Sequence, residues 1–193
     1  MIKDALVIKK TPDEIAAVLA PKVYGTLNLD EATQNEPLDF FVLFSSVTAV
    51  LGNVGQCDYA YANSFMDNFA LWRSKQKRSG KTLSINWPLW QSGGMHVDEQ
   101  TEKWLANTTG IKALNSEAGL EAFTKGLSSE YNPFIVIKGY RQKVRQILGL
   151  IEKPTQPITA STSKTVVQVD DGQLAAKLQQ DLLKIASSRF RVP

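Results

Sequence analysis

Two residue types that anchor many protein sites are almost missing: the 193 residues include one cysteine, Cys57, and one histidine, His96. A lone cysteine excludes an internal disulfide, and one histidine leaves no cysteine and histidine set for a metal such as zinc. That usage predicts a reducing, cytoplasmic setting. No stretch approaches the roughly 18 consecutive apolar residues that span a bilayer. The opening MIKDALVIKK is too short and too charged for a secretion signal. Charge of one sign is scarce as well, with 22 basic against 19 acidic residues. The longest basic cluster, RSKQKRSG at 73–80, ends a predicted helix and reads as a solvated helix terminus rather than a nucleic-acid patch. Also absent is a G-x-G-x-x-G turn after a strand; LGNVGQ at 51–56 has two glycines and lies elsewhere.

What is present is the composition of a folded protein, 43% hydrophobic and 21% charged, long enough for one domain or a domain with an appendage. TPDE at 11–14 places a threonine cap before a proline and two acids, and apolar spacing then predicts helix to about residue 35, interrupted or kinked at Pro21. DFFVLFSS, KTLSINW and PFIVIKG are short apolar runs that read as buried strands. Between them, residues 57–77, 97–110 and 115–130 carry helical periodicity, and PLWQSGGM reads as a turn-rich loop. The alternation predicts an α/β architecture with a parallel sheet and flanking helices. Composition then shifts. Residues 151–172 are rich in proline, serine and threonine, the signature of a flexible linker, and 173–193 form an amphipathic helix with Leu174, Leu178, Leu182 and Ile185 on one side. The expected division is 1–150, 151–172 and 173–193.

One constellation carries chemistry. Ser46 ends the first predicted strand, and ligands of open α/β sheets bind at the carboxyl ends of strands. Tyr59 and Asn63, four apart, share a face of the next helix. A tyrosine hydroxyl can protonate a carbonyl oxygen as hydride reaches the carbon, a serine hydroxyl can hold that oxygen, and an amide can anchor a water relay. Tyrosine, with a reference pKa of about 10, needs a nearby cation for this work, and Lys22 is the candidate. The same residues also suit a capping serine, a half-buried tyrosine and an exposed helix asparagine, and spacing alone leaves both readings open.

VLAPKVYGTLNL, LDFFVLFSSVTAVLGNVGQCDYAYANSFMDNFA and LSINWPLWQSGGM, in this order, resemble the ketoreductase domain of modular polyketide synthases, a branch of the short-chain dehydrogenase/reductases, over residues 1–150. The resemblance implies that Lys22, Ser46, Tyr59 and Asn63 match the catalytic tetrad of that family. The tyrosine is then the general acid, the serine orients the β-keto oxygen, the lysine contacts the nicotinamide ribose and lowers the tyrosine's pKa, and the asparagine supports the proton relay. It implies NADPH as cofactor, bound by Lys22, Tyr59 and the backbone of Pro88, Leu89 and Trp90, with Gly93, Gly94 and Met95 facing the acyl chain. No metal is implied.

Two further positions concern stereochemistry. Asp4 matches the last residue of a Leu-Asp-Asp motif found in members that give a D-configured hydroxyl, while Lys3 departs from its middle aspartate. Leu51 stands where members giving the opposite alcohol tend to carry tryptophan. The implied reaction is reduction of a β-ketoacyl-phosphopantetheine on an acyl carrier protein to a D-hydroxyacyl thioester, in polyketide and antibiotic biosynthesis. The family's nucleotide-binding strands and glycine-rich turn have no match here. The resemblance therefore implies a partial Rossmann-like sheet with its N-terminal strands absent, and an enzyme inactive without that half or neighbouring synthase domains. Residues 173–193 resemble the first helix of an acyl carrier protein. The alternative is a non-catalytic, truncated structural fragment of such a synthase. Neither reading involves nucleic acid or a membrane.

Overall fold

A computed structural model describes residues 4–94, 97–151 and 180. The chain divides into two units, 1–153 and 154–193, and all elements below belong to the first. Met95, the expected linker and the expected terminal helix lie outside the described residues, as do Met1 to Lys3.

Helix α1, Pro12–Leu19, opens on a full capping box: Thr11 Oγ1 accepts from the Glu14 N–H at 3.2 Å and Glu14 Oε2 accepts from the Thr11 N–H at 3.1 Å. The expected interruption at Pro21 is a complete break, because proline offers no amide to the helix ladder. The chain turns through residues 20–23 and restarts as α2, Tyr24–Ala32. Strand β1, Phe40–Ser46, leads through the single-turn α3, Thr48–Leu51, into the long α4, Cys57–Ser74. Then come β2, Lys81–Trp87, α5, Glu99–Thr109, β3, Ile111–Lys112, and α6, Ser116–Ser128. The unit closes with β4, Phe134–Ile135, β5, Lys138–Gly139, and α7, Arg141–Ile147.

The main sheet runs β1-β2-β4, all parallel, with Phe40 opposite Lys81 and Ser46 opposite Trp87. It is packed on both faces. Phe41 and Leu43 meet Met66, Phe69 and Ala70 of α4, while Leu83, Ile85 and Trp87 meet Ala118, Ala122 and Phe123 of α6. Among the described residues β1 is an edge, and its Phe40 and Phe44 stay 50% and 55% exposed although both rings touch Phe123. The fold is thus α/β with a parallel sheet and flanking helices.

Two expectations need correction. PFIVIKG is not one buried strand: β4 pairs with β2, whereas β5 pairs antiparallel with β3. The backbone of Gly139 comes so close to the Gly110 carbonyl that a Cβ would collide with it, which draws this segment away from the main sheet. The basic cluster at 73–80 is also not uniformly solvated. Arg73 is 1% exposed, its Nε 2.6 Å from Asp30 Oδ1, its Nη1 2.6 Å from Thr82 Oγ1, and its guanidinium 4.3 Å from the centre of the Phe41 ring. Arg78 adds a longer contact of 3.3 Å to the same carboxylate. One side chain therefore ties α2, α4, β1 and β2 together.

Breaking this pair leaves Asp30 buried with, among the described residues, only the longer Arg78 contact. Arg73→Ala is expected to cost about 3 kcal/mol or more, read as a lower urea midpoint at unchanged m-value. A loss under about 1 kcal/mol, the level of an exposed pair, would contradict the assignment.

Candidate active site

The carboxyl end of β1 sits on a buried polar network. Asn86, directly opposite Ser45 in the β1-β2 register, is fully buried. Its Nδ2 donates to Asp67 Oδ2 at 2.7 Å, to Ser45 Oγ at 3.1 Å and to the Ser46 carbonyl at 3.1 Å. Asp67 Oδ1 also accepts from the Ser84 hydroxyl at 2.6 Å. Ser45 Oγ passes the chain on, donating to the backbone carbonyl of Asn63 at 3.2 Å. Two residues of β1, two of β2 and two of α4 are thereby held in one arrangement, while Asn86 Oδ1 is buried with no partner among the described residues. None of Ser45, Asp67, Ser84 or Asn86 was singled out from the sequence. The signal was there: Thr82, Ser84 and Asn86 alternate with Leu83, Ile85 and Trp87 in KTLSINW, so three polar residues share one face of the strand.

On this base stand the four predicted residues. Ser46 is 7% exposed, and its Oγ accepts from both the backbone N–H and the hydroxyl of Thr48, at 3.2 and 2.9 Å. With its oxygen so engaged, the Ser46 proton is the part left to offer to a ligand. Lys22, in the turn between α1 and α2, donates to the Phe44 carbonyl at 3.1 Å, and its ammonium lies 5.5 Å from the centre of the Tyr59 ring. Partial burial pushes the Lys22 ammonium below the usual lysine range, opposed by the Asp67 carboxylate. Asn63 is 0% exposed, not the surface residue that the plain helix reading expected. Its Nδ2 donates to the Tyr59 carbonyl at 2.7 Å, leaving its Oδ1 buried without a partner among the described residues. Lys22 approaches the Tyr59 ring and Asn63 bonds the Tyr59 backbone carbonyl, and the Ser46 carbonyl is linked to the Asn63 carbonyl through the Asn86 and Ser45 bonds.

The α4 N-terminus that carries Tyr59 is itself clamped. Asp58 receives Lys10 Nζ at 2.7 Å in a buried ion pair, and its Oδ1 is 2.9 Å from the Tyr59 N–H. Asp4 accepts from Gln56 Nε2 at 2.8 Å, and the Ala5 N–H donates to the Gly55 carbonyl at 3.0 Å, so the chain start is tied to the loop three residues before Tyr59. Leu51, half-buried, ends α3 at the other side of that loop.

Beyond β2, Pro88 is buried, and the Leu89 carbonyl accepts from the Leu114 N–H at 2.7 Å. The Trp90 ring lies 4.9 Å from that of Trp87 and rests on Gly119, where any Cβ would collide with the indole. Gly93 packs on Trp90, nothing approaches within 4 Å of the Cβ position of Gly94, and both stand outside the polar network.

Comparison with known proteins follows the same lines. Residues 1–92 match the family model of the KR domain. Polyketide synthase PksN of Bacillus subtilis (strain 168) is 38% identical over 201 aligned residues, covering 100% of this chain and 4% of PksN. A ketoreductase domain from the bacillaene assembly line superposes with a TM-score of 0.72 at 48% identity, over 75% of this chain and 36% of that one. An N-terminal ketoreductase from the macrolactin assembly line gives 0.69 at 47% identity, over 77% and 28%. The chain therefore spans a small fraction of the curated synthases and about a third of these solved ketoreductases.

The burial of Lys22 fixes a pH dependence. Its pKa in the folded state lies below the unfolded value, so the folded state binds fewer protons between the two. The cost of burying the ammonium is full below the folded pKa and is relieved as pH rises toward the ordinary lysine value. The stability of the wild type relative to Lys22→Met is expected to rise over that alkaline interval in urea titrations. A flat difference would contradict the burial of this group.

Proposed function

We propose that this chain, which belongs to the ketoreductase domains of modular polyketide synthases, supplies the reaction centre for reducing a β-ketoacyl thioester on an acyl carrier protein to the β-hydroxyacyl thioester, with NADPH as reductant. The observation that carries this reading is the contact of Lys22 and Asn63 with Tyr59 around the strand end that bears Ser46.

When bound, the nicotinamide supplies the hydride to the carbonyl carbon. Tyr59 gives its hydroxyl proton to the carbonyl oxygen. Ser46 donates a hydrogen bond to that oxygen, since Thr48 occupies the acceptor side of its hydroxyl. The Lys22 ammonium, 5.5 Å from the ring centre, stabilises the negative charge that develops on the phenol oxygen. The unpartnered Asn63 Oδ1 is the acceptor for a water that returns a proton to Tyr59.

The residues present fit the nicotinamide-ribose end of the cofactor: Lys22 has a half-buried ammonium with a single hydrogen bond, to Phe44, among the described residues. Pro88 to Trp90 lie at the carboxyl end of β2, the side of a parallel sheet where ligands bind. The fit does not extend to the pyrophosphate, because the sequence carries no glycine-rich turn to cradle it. In this reading a nucleotide-binding ketoreductase segment completes the site. The Asp4–Gln56 tether and the absence of tryptophan at Leu51 support a D-configured product.

The test is NADPH consumption with a β-ketoacyl thioester by the ketoreductase that contains this segment, with the product resolved by chiral chromatography. Tyr59→Phe is expected to lower kcat by about 100-fold or more. Thr48→Val, which removes the hydroxyl donor to Ser46 Oγ and keeps the backbone one, is expected to lower kcat by roughly tenfold with little change in KM. Activity unaffected by Tyr59→Phe, or an L-configured product, would contradict the respective part of the reading.

A further inference from the structure

The short ladder between β3 and β5 holds a pair of like charges. Lys112 and Lys138 are directly opposite each other, and opposed residues of an antiparallel pair project from the same face, where like charges destabilise. The register does not come from the lysines. It is set by the backbone, through the close approach of Gly139 to the Gly110 carbonyl and the bond from the Tyr140 N–H to that same oxygen at 2.8 Å.

The contacts around both ammonium groups are neutral. Lys138 Nζ donates to Asn115 Oδ1 at 2.9 Å, and Lys112 Nζ lies 4.2 Å from the centre of the Tyr140 ring. A third cation, Lys143, lies 5.9 Å from the same ring centre and donates to the Asn107 carbonyl at 2.8 Å.

Lys112 and Lys138 line a cavity of about 540 Å³ between this ladder and α5, together with Tyr140, Gln91 and Asn107. The α5 wall adds Glu99, Glu102 and Lys103, of which Glu99 and Lys103 pair at 2.6 Å. Gln91, which lines the cavity, follows Trp90 in the chain, and its N–H donates to the Leu114 carbonyl at 2.9 Å. None of Lys22, Ser46, Tyr59 or Asn63 lines it.

We propose that this cavity is a phosphate-binding site in which Lys112 and Lys138 grip the anion from the two strands. Two lysines that are opposed in register and line one cavity are matched by a group that carries several anionic oxygens. The volume leaves room for an organic portion beside the phosphate. That phosphate is either the phosphodiester of a pantetheine arm, an assignment that rests on the ketoreductase reading, or a free organic phosphate.

The test is a titration of the protein, followed by NMR of the lysine side chains, with inorganic phosphate, phosphopantetheine and unphosphorylated pantetheine. Both phosphates are expected to shift Lys112 and Lys138 saturably, and pantetheine is not. In Lys112→Met/Lys138→Met the Kd for either phosphate is expected to rise about tenfold or more, with the melting temperature unchanged or raised because a repulsion is removed. Tighter binding of phosphopantetheine than of inorganic phosphate assigns the site to the arm, and equal binding assigns it to free phosphate. No saturable shift with either, or an unchanged Kd in the double variant, overturns the proposal. The readout is independent of turnover, so it stands or falls separately from the Tyr59→Phe assay.

Discussion

The side-chain amide of Asn86 is the interaction on which the rest of the site depends. One NH₂ group, with two protons, serves three acceptors on two different elements: Ser45 Oγ, the Ser46 carbonyl and Asp67 Oδ2. Buried where water cannot substitute, it has few alternatives to this arrangement. Its consequence is geometric. The end of β1 is locked to β2 and to the middle of α4 at once, and that leaves Ser46, Tyr59 and Asn63 little freedom to drift apart.

The same network has an electrostatic role. Asp67, held by Asn86 and Ser84, is the carboxylate that partly offsets the cost of burying Lys22. The ammonium beside Tyr59 is thus supported from the interior and not by a surface counter-ion that salt would screen. At the far end of α4, Arg73 does for the scaffold what Asn86 does for the site, joining Asp30, Thr82 and the Phe41 ring. Helix α4 is therefore pinned by polar side chains at its first turn through Asp58, in its middle through Asp67 and at its end through Arg73, with Met66, Phe69 and Ala70 making its apolar contacts.

How much of this was legible depended on range in the chain. The capping box at Thr11 and Glu14, the break at Pro21 and strands β1 and β2 follow from local chemistry and could be read directly. The pairing of Tyr59 with Asn63 is likewise a helix-turn relation. What could not be read joins residues far apart. Arg73 looked like part of a solvated basic run because its partner Asp30 lies 43 positions earlier. The role of Asn86 stayed hidden because its partner Asp67 is 19 positions earlier. The split of PFIVIKG depends on Gly139 meeting Gly110, a backbone approach that no periodicity encodes. The opposed lysines stayed hidden for the same reason, since only the register reveals them.

The central claim is that the Asn86 amide is locked in the interior, and hydrogen exchange of its side-chain NH₂, measured by NMR, tests it most directly. The account predicts exchange slowed by about 100-fold or more relative to an exposed asparagine, with the protection lost in Asp67→Ala. Exchange as fast as that of exposed Asn68 would contradict it, because the strand end bearing Ser46 would then lack the fixed base on which the site is built.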